Sequence, residues 1–151
     1  MNVTSQAGAR ANGAALCRVT YRMTDQMGMV YYGHYLEFFE MGRVELMRAA
    51  GLSYRRMEEA GYRLPVVHAW CDYLTPGRYD DLLEIETRVL KLTRAQIHFG
   101  YEIRRRDEAR LLARGETRHA FLAADGRPVR LDPAWFERLS RLRPPQEAAP
   151  R

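Results

Sequence analysis

Cysteine is scarce in this chain, and the two present, Cys17 and Cys71, lie far apart, outside any Cys-x-x-Cys spacing and with no His-x-x-x-His pair to join them. That excludes a disulfide framework and a zinc site of ordinary ligand spacing, and both thiols read as small buried hydrophobes. No stretch approaches the ~20 apolar residues of a membrane-spanning helix. Met1 to Ala15 has neither the basic start nor the apolar run of a secretory signal. A reducing cytoplasm is the expected setting, with no metal and no cofactor. Lysine is almost missing too: Lys91 is the single lysine among 24 basic residues, so the formal net charge of +5 is carried by arginine. Such a balance suits nucleic acid, an anionic surface or a phosphorylated ligand without choosing among them. The arginines are scattered, only Arg104-Arg105-Arg106 stand three in a row, and no aromatic-basic interleaving marks a nucleic-acid platform. That run reads as a solvated hairpin end.

What the chain does have is enough length for one domain. At 151 residues it can bury roughly 70% of its unfolded surface without a staple. Small polar residues to Ala15 and the Pro/Ala-rich stretch from Arg143 read as disordered tails around a domain over 16–142. A short strand is expected over Leu16 to Arg22. From His34 to Ala50 the apolar residues Tyr35, Leu36, Phe38, Phe39, Met41, Val44, Leu46 and Met47 cover more than one stripe, and Gly51 supplies the stop. A helix so apolar should be buried on most sides. Ser53 caps a second helix ending at Gly61.

Beyond Arg63 the period falls to two, as strands require. Val67, Ala69, Cys71 and Tyr73 alternate, as do Leu83, Ile85, Thr87 and Val89, then Ile97, Phe99, Tyr101 and Ile103, then Leu111, Ala113, Thr117 and Phe121. Their connections suit antiparallel hairpins, although Thr75-Pro76-Gly77 could instead carry a crossover. Asp125-Gly126 turns the chain, and Asp132 followed by Pro133 opens a closing helix. The pattern is α+β, an antiparallel sheet around a central helix.

The most informative segment runs from Thr24 to Arg43, where Asp25 sits in a Gly-punctuated loop just ahead of the apolar helix. A carboxylate there can attack or deprotonate, while the unpaired N–H groups of the first helical turn face any carbonyl oxygen lodged nearby. The amides of Tyr32, Gly33 and His34 are the candidate donors, Tyr32 first. From spacing alone, Asp25 equally fits an Asx turn that merely holds the loop. Gly28 and Gly33 fit turn positions needing unusual backbone angles, or a close approach to an acyl group.

The run Asp25-x-x-Gly28-x-Val30-Tyr31-Tyr32, followed by Tyr35-Leu36-x-Phe38-Phe39-Glu40 and Arg43, resembles the signature of hotdog-fold acyl-CoA thioesterases of the 4-hydroxybenzoyl-CoA thioesterase family. Leu74 to Ile85 is similar to that family's entry into its third strand, and the likeness covers roughly residues 16 to 140. Two positions depart: Met23 stands where a second Asp is frequent, and His34 where Asn is usual. The resemblance implies a hotdog fold with a five-stranded sheet, a homodimer or homotetramer, and Asp25 as nucleophile or general base in acyl-CoA hydrolysis. It also implies substrate contacts near Gly28 and Val30. His34 is left with either a substrate contact or helix-end packing.

Arg78, Arg127 and Arg130 fall in loops and suit the phosphates of CoA. Glu40 and Arg43, three apart on the helix, suit an ion pair. Met23, Met27, Met29, Met41 and Met47 read as core or as an adaptable acyl pocket. His68, His98 and His119 fall within strands and read as structural. Two rival readings stand beside hydrolysis: a hydratase or dehydratase on the same carriers, disfavoured because Asp25 has no His at a fixed spacing, and a non-catalytic acyl or nucleic-acid binding module, disfavoured by the acid in the loop.

Overall fold

The computed structural model describes residues 14–143 and the backbone of residues 8 and 9. Its strands are β1 (Gly8–Ala9), β2 (Ala15–Arg18), β3 (Val66–Tyr73), β4 (Leu82–Leu92), β5 (Gln96–Arg105) and β6 (Arg110–Ala120), and its helices α1 (His34–Ala49), α2 (Tyr54–Glu59) and α3 (Pro133–Ser140). One antiparallel sheet takes the order β1-β2-β4-β5-β6-β3. Five strands form the expected sheet and the two residues of β1 add an edge. Much of the expected tails, residues 1–7, 10–13 and 144–151, lies outside the described residues.

The caps work as their residue types require. Ser53 Oγ accepts from the Arg56 amide at 3.3 Å, and Asp132 Oδ1 accepts from the Trp135 amide at 2.9 Å, each satisfying one orphan donor of a first turn. The central helix α1 lies against β2, β4 and β5. Phe38, Phe39 and Met47 are fully buried there, and the ring of Phe39 stacks on Tyr101 at 4.3 Å and 9°. Each such side chain contributes about 1.5–3 kcal/mol through burial. Gly42 permits the approach: a Cβ there would collide with Thr87 Oγ1 and Ile85 Cγ2.

Several expectations need correction. The first strand stops at Arg18 and is followed by a 3-10 turn over Tyr21–Met23, which redirects the chain toward α1. The helix is buried on one side, not most: Leu36 stays 45% exposed, and Met41, Val44 and Leu46 are only half-buried. Glu40 and Arg43 form no ion pair among the described residues. Glu40 faces out, while Arg43 turns inward beside the hydroxyls of Tyr54 and Tyr101. The link after β3 is a crossover, because β3 pairs with β6 rather than β4. At the sheet's margin, β3 is exposed on both faces, with Val66, Val67, Trp70 and Tyr73 all open.

Candidate active site

After the 3-10 turn the chain doubles back on itself. Asp25 N donates to Met29 O at 2.9 Å, Gly28 N donates to Asp25 O at 3.0 Å, and Gly28 takes φ +74°, a left-handed angle that favours glycine. Asp25 Oδ1 accepts from Met27 N at 2.9 Å. The Asx turn therefore exists, and it occupies one carboxylate oxygen. Oδ2 has no hydrogen bond among the described residues.

The loop is pinned from three directions. Val30 N donates to Gly77 O at 2.8 Å, Tyr31 N to Met23 O at 2.9 Å, and Arg78 Nη1 to Gly28 O at 3.2 Å. The crossover that holds Gly77 is itself fixed. Leu74 and Thr75 both donate to Leu112 O, Gly77 N donates to the Tyr35 hydroxyl at 3.3 Å, and Arg105 donates to Pro76 O at 3.2 Å and to Asp81 Oδ2 at 3.0 Å. Arg105, expected as part of a solvated turn, instead clamps this crossover with its side chain mostly buried.

Loop, helix start and crossover enclose a cleft of 270 Å³. Asp25, Met27, Met29 and Val30 form one wall, Tyr32 and Tyr35 a second, and Tyr73 to Pro76 the third. The two methionines thus take the pocket role that was one of their two readings. Asp25 is the only carboxylate among these residues. Lost solvation pushes the Tyr73 hydroxyl up to about 12 and raises that of Tyr35, so both stay neutral near pH 7. In the first turn of α1, His34 N is already used by Tyr31 O at 3.0 Å, and Tyr35 N by Tyr32 O at 3.3 Å. The amides of Tyr32 and Gly33 find no acceptor among the described residues. They are free donors just ahead of the positive end of the helix.

Asp25, Val30 and Tyr32 therefore line one cleft; Gly28 and Gly33 adjoin it in the chain without lining it, and Arg78 reaches the loop through Gly28 O. Gly33 itself has φ −65°, so no unusual angle is involved; the ring of Tyr31 lies over it, 2.9 Å from where a Cβ would be. The His34 ring is not in the cleft. Its Nδ1 lies 3.2 Å from Glu37 Oε2, off the line of a good hydrogen bond, and its edge faces Tyr31. Arg127 and Arg130 also fall elsewhere. Arg127 N and Nε bond Asp125 in the turn past β6, where Ala123 N donates to Arg127 O. The cleft borders Ala113 at the opposite end of that strand, roughly 30 Å away at ~3.4 Å per residue.

Against known proteins, the family model of the thioesterase-like superfamily matches residues 19–145. This chain belongs to the thioesterase-like superfamily. The crystal structure of a hypothetical protein, TT1821, from Thermus thermophilus is similar at TM-score 0.81 and 34% identity, over 86% of this chain and 98% of that one. The DHNA-CoA thioesterase of Staphylococcus aureus is similar at TM-score 0.81 and 30% identity, over 85% of this chain and 89% of that one. In sequence, the acyl-CoA thioesterase YbgC of Haemophilus influenzae is 36% identical over 89 residues, which span 58% of this chain and 65% of that relative. The hotdog fold and the thioester hydrolase class read from residues 24–43 both stand.

Tyr35, Tyr73 and the Leu74–Pro76 segment were missed as site residues. The signal was present in the crossover option at Thr75-Pro76-Gly77, since only a crossover carries that segment past the Asp25 loop.

Proposed function

We propose that the cleft hydrolyses an acyl-CoA thioester to CoA and a carboxylic acid, with Asp25 as its reactive group. The observation that carries this reading is an apolar cleft lined by Asp25 and Tyr32 beside a helix N-terminus, where Asp25 Oδ2 and the amides of Tyr32 and Gly33 have no partner among the described residues. Asp25 takes a proton from water, the resulting hydroxide adds to the thioester carbon, and the C–S bond breaks as the thiolate leaves and is protonated. The same carboxylate can instead attack directly, giving an anhydride that water then opens. In either route negative charge grows on the carbonyl oxygen, and the Tyr32 and Gly33 amides are the donors proposed to meet it. One such donor is worth about 3 kcal/mol in a pocket of this kind. Met27, Met29 and the tyrosines receive the acyl group. Arg78, fixed at the rim by Gly28 O, faces the phosphates of CoA.

The working form is a homodimer or a pair of them. The long edge strand β3 is open on both faces, and antiparallel pairing with a second copy would satisfy its free backbone groups. A twofold axis across β3 would also carry the partner's far end toward this cleft, supplying the role expected of Arg127 and Arg130. Cys17 and Cys71 are free thiols, which suits a reducing cytoplasm. Thiol release from a panel of acyl-CoAs tests the activity. Hydrolysis of at least one, lost in Asp25→Asn, supports it; no release from any aliphatic or aromatic thioester overturns it. Sedimentation of a fully active monomer would overturn the dimer.

A further inference from the structure

We propose that Tyr73 is a positioning residue for the reaction, acting through the peptide group between Tyr32 and Gly33. The inference rests on the thioesterase reading above and concerns how the charge-stabilising amide is aimed.

Tyr73 ends the edge strand β3, across the cleft from the loop. Its hydroxyl donates to Tyr32 O at 3.0 Å, a contact between residues 41 apart in sequence. Its ring stands edge-on to Tyr35 at 5.0 Å and 86°, and to Tyr32 at 6.4 Å and 89°. The Tyr35 hydroxyl in turn accepts from Gly77 N, which fixes that ring against the crossover. Tyr73 is thus held by neighbours that do not depend on substrate.

The carbonyl it holds is half of a rigid unit. A trans peptide keeps C=O and the following N–H in one plane and pointing opposite ways. Fixing Tyr32 O therefore fixes the direction of the Gly33 N–H, one of the two amides without an acceptor. Within the helix, Tyr32 O has only a long 3.3 Å bond from Tyr35 N, so the first turn alone holds this peptide loosely. The hydroxyl adds a second anchor from outside the helix. It also polarises the peptide, because a hydrogen bond accepted at C=O strengthens the donor at N–H. The raised Tyr73 hydroxyl remains a donor across the working range.

An aimed donor matters when charge develops and little when substrate simply binds. Tyr73→Phe keeps the ring and its edge contacts and removes only the donor. We expect about a tenfold lower kcat, near the worth of one neutral hydrogen bond with its cooperative share. The Kd of a non-hydrolysable thioether analogue of the best substrate should stay within about twofold, and the pH profile of kcat/KM should not move. The melting temperature should also hold, since the lost bond lies on a half-exposed side chain. Wild-type kcat in Tyr73→Phe overturns the proposal. So does a weakened Kd with kcat unchanged, which would confine the hydroxyl to binding the acyl group, and so does activity lost only in proportion to unfolded protein. Failure here is separable from failure of the thioesterase reading: in the first case wild type hydrolyses thioesters and Asp25→Asn does not, in the second wild type releases no thiol.

Discussion

The two ends of the sheet treat polar groups in opposite ways. At the end beyond β6, the fully buried His119 places Nδ1 3.1 Å from Leu64 O and Nε2 2.8 Å from Thr117 Oγ1, which lies 2.6 Å from the Tyr101 hydroxyl. That chain is consistent with a neutral ring donating through Nδ1. Nearby, Tyr62 donates to Asp132 Oδ2 at 3.0 Å and Arg94 to Leu131 O at 2.7 Å. At the cleft end, the Tyr32 and Gly33 amides and Asp25 Oδ2 have no hydrogen-bond partner among the described residues. Unmet hydrogen-bonding capacity in a folded chain costs stability unless water or a ligand meets it. The bonded network ties the far end of the fold together, although Arg43 Nε and Tyr54 OH beside Tyr101 have no hydrogen-bond partner among the described residues, and the open groups at the cleft are those the proposed substrate would meet.

The comparison breaks most severely at His119. Burial drives its pKa from 6.5 down to about 4, so the folded state binds fewer protons than the unfolded one below pH 6.5. Its stabilising share is complete above that value and is lost as pH falls toward 4, by about 3 kcal/mol in all. Urea midpoints measured from pH 7 to 4.5 should fall steeply in wild type and less steeply in His119→Gln. Identical slopes would detach His119 from acid stability.

A smaller effect is expected where the two ends share a support. Gly42 lets α1 rest on β4, and Gly42→Ala sets a helix-propensity gain of ~1 kcal/mol against an overpacking cost of 1–3 kcal/mol. With Thr87 and Ile85 both in the way, overpacking wins. The variant should lose up to about 2 kcal/mol and some kcat as well, since α1 follows directly on Tyr32 and Gly33; a stabilised, fully active variant would mean the helix rides freely on the sheet.

The mildest effect belongs to the cleft mouth. Exposed arginine and phosphate are screened over ~8 Å at physiological ionic strength, whereas buried chemistry is screened much less. Added salt should raise KM for an acyl-CoA a few-fold and leave kcat nearly level. Equal sensitivity for a short thioester without the nucleotide would argue against a phosphate contact at Arg78.

Most of the sheet was legible because its inward residues repeat every second position: Leu83, Ile85 and Val89, and Ile97, Phe99, Tyr101 and Ile103, are buried as their alternation required. The caps at Ser53 and Asp132 were equally plain, being local. What could not be read depended on contacts distant in sequence. Nothing near Arg127 tells which end of β6 it lies on, and nothing near Tyr73 tells that its hydroxyl meets Tyr32. Pairing of β3 with β6 decides both. The open side of α1 escaped for a related reason: Leu36, Met41 and Val44 are as apolar as the buried stripe, and composition does not say which apolar face its own chain covers. At the site, the motif marked Asp25, Gly28 and Tyr32, whereas hydrogen bonding in the first turn reduced the candidate amides to Tyr32 and Gly33.

Asp25→Asn is the most direct test of the mechanism, read as thiol release and melting temperature on the same sample. The amide is nearly the same size as the carboxylate and can still accept from Met27 N through its side-chain oxygen, so the loop should survive. It is neither a nucleophile nor a base near neutral pH. Turnover on the best acyl-CoA should fall roughly 10²–10⁴-fold while melting shifts by no more than a degree or two. Wild-type turnover in the variant, or activity lost only as far as the protein unfolds, would leave Asp25 a turn residue and contradict the mechanism.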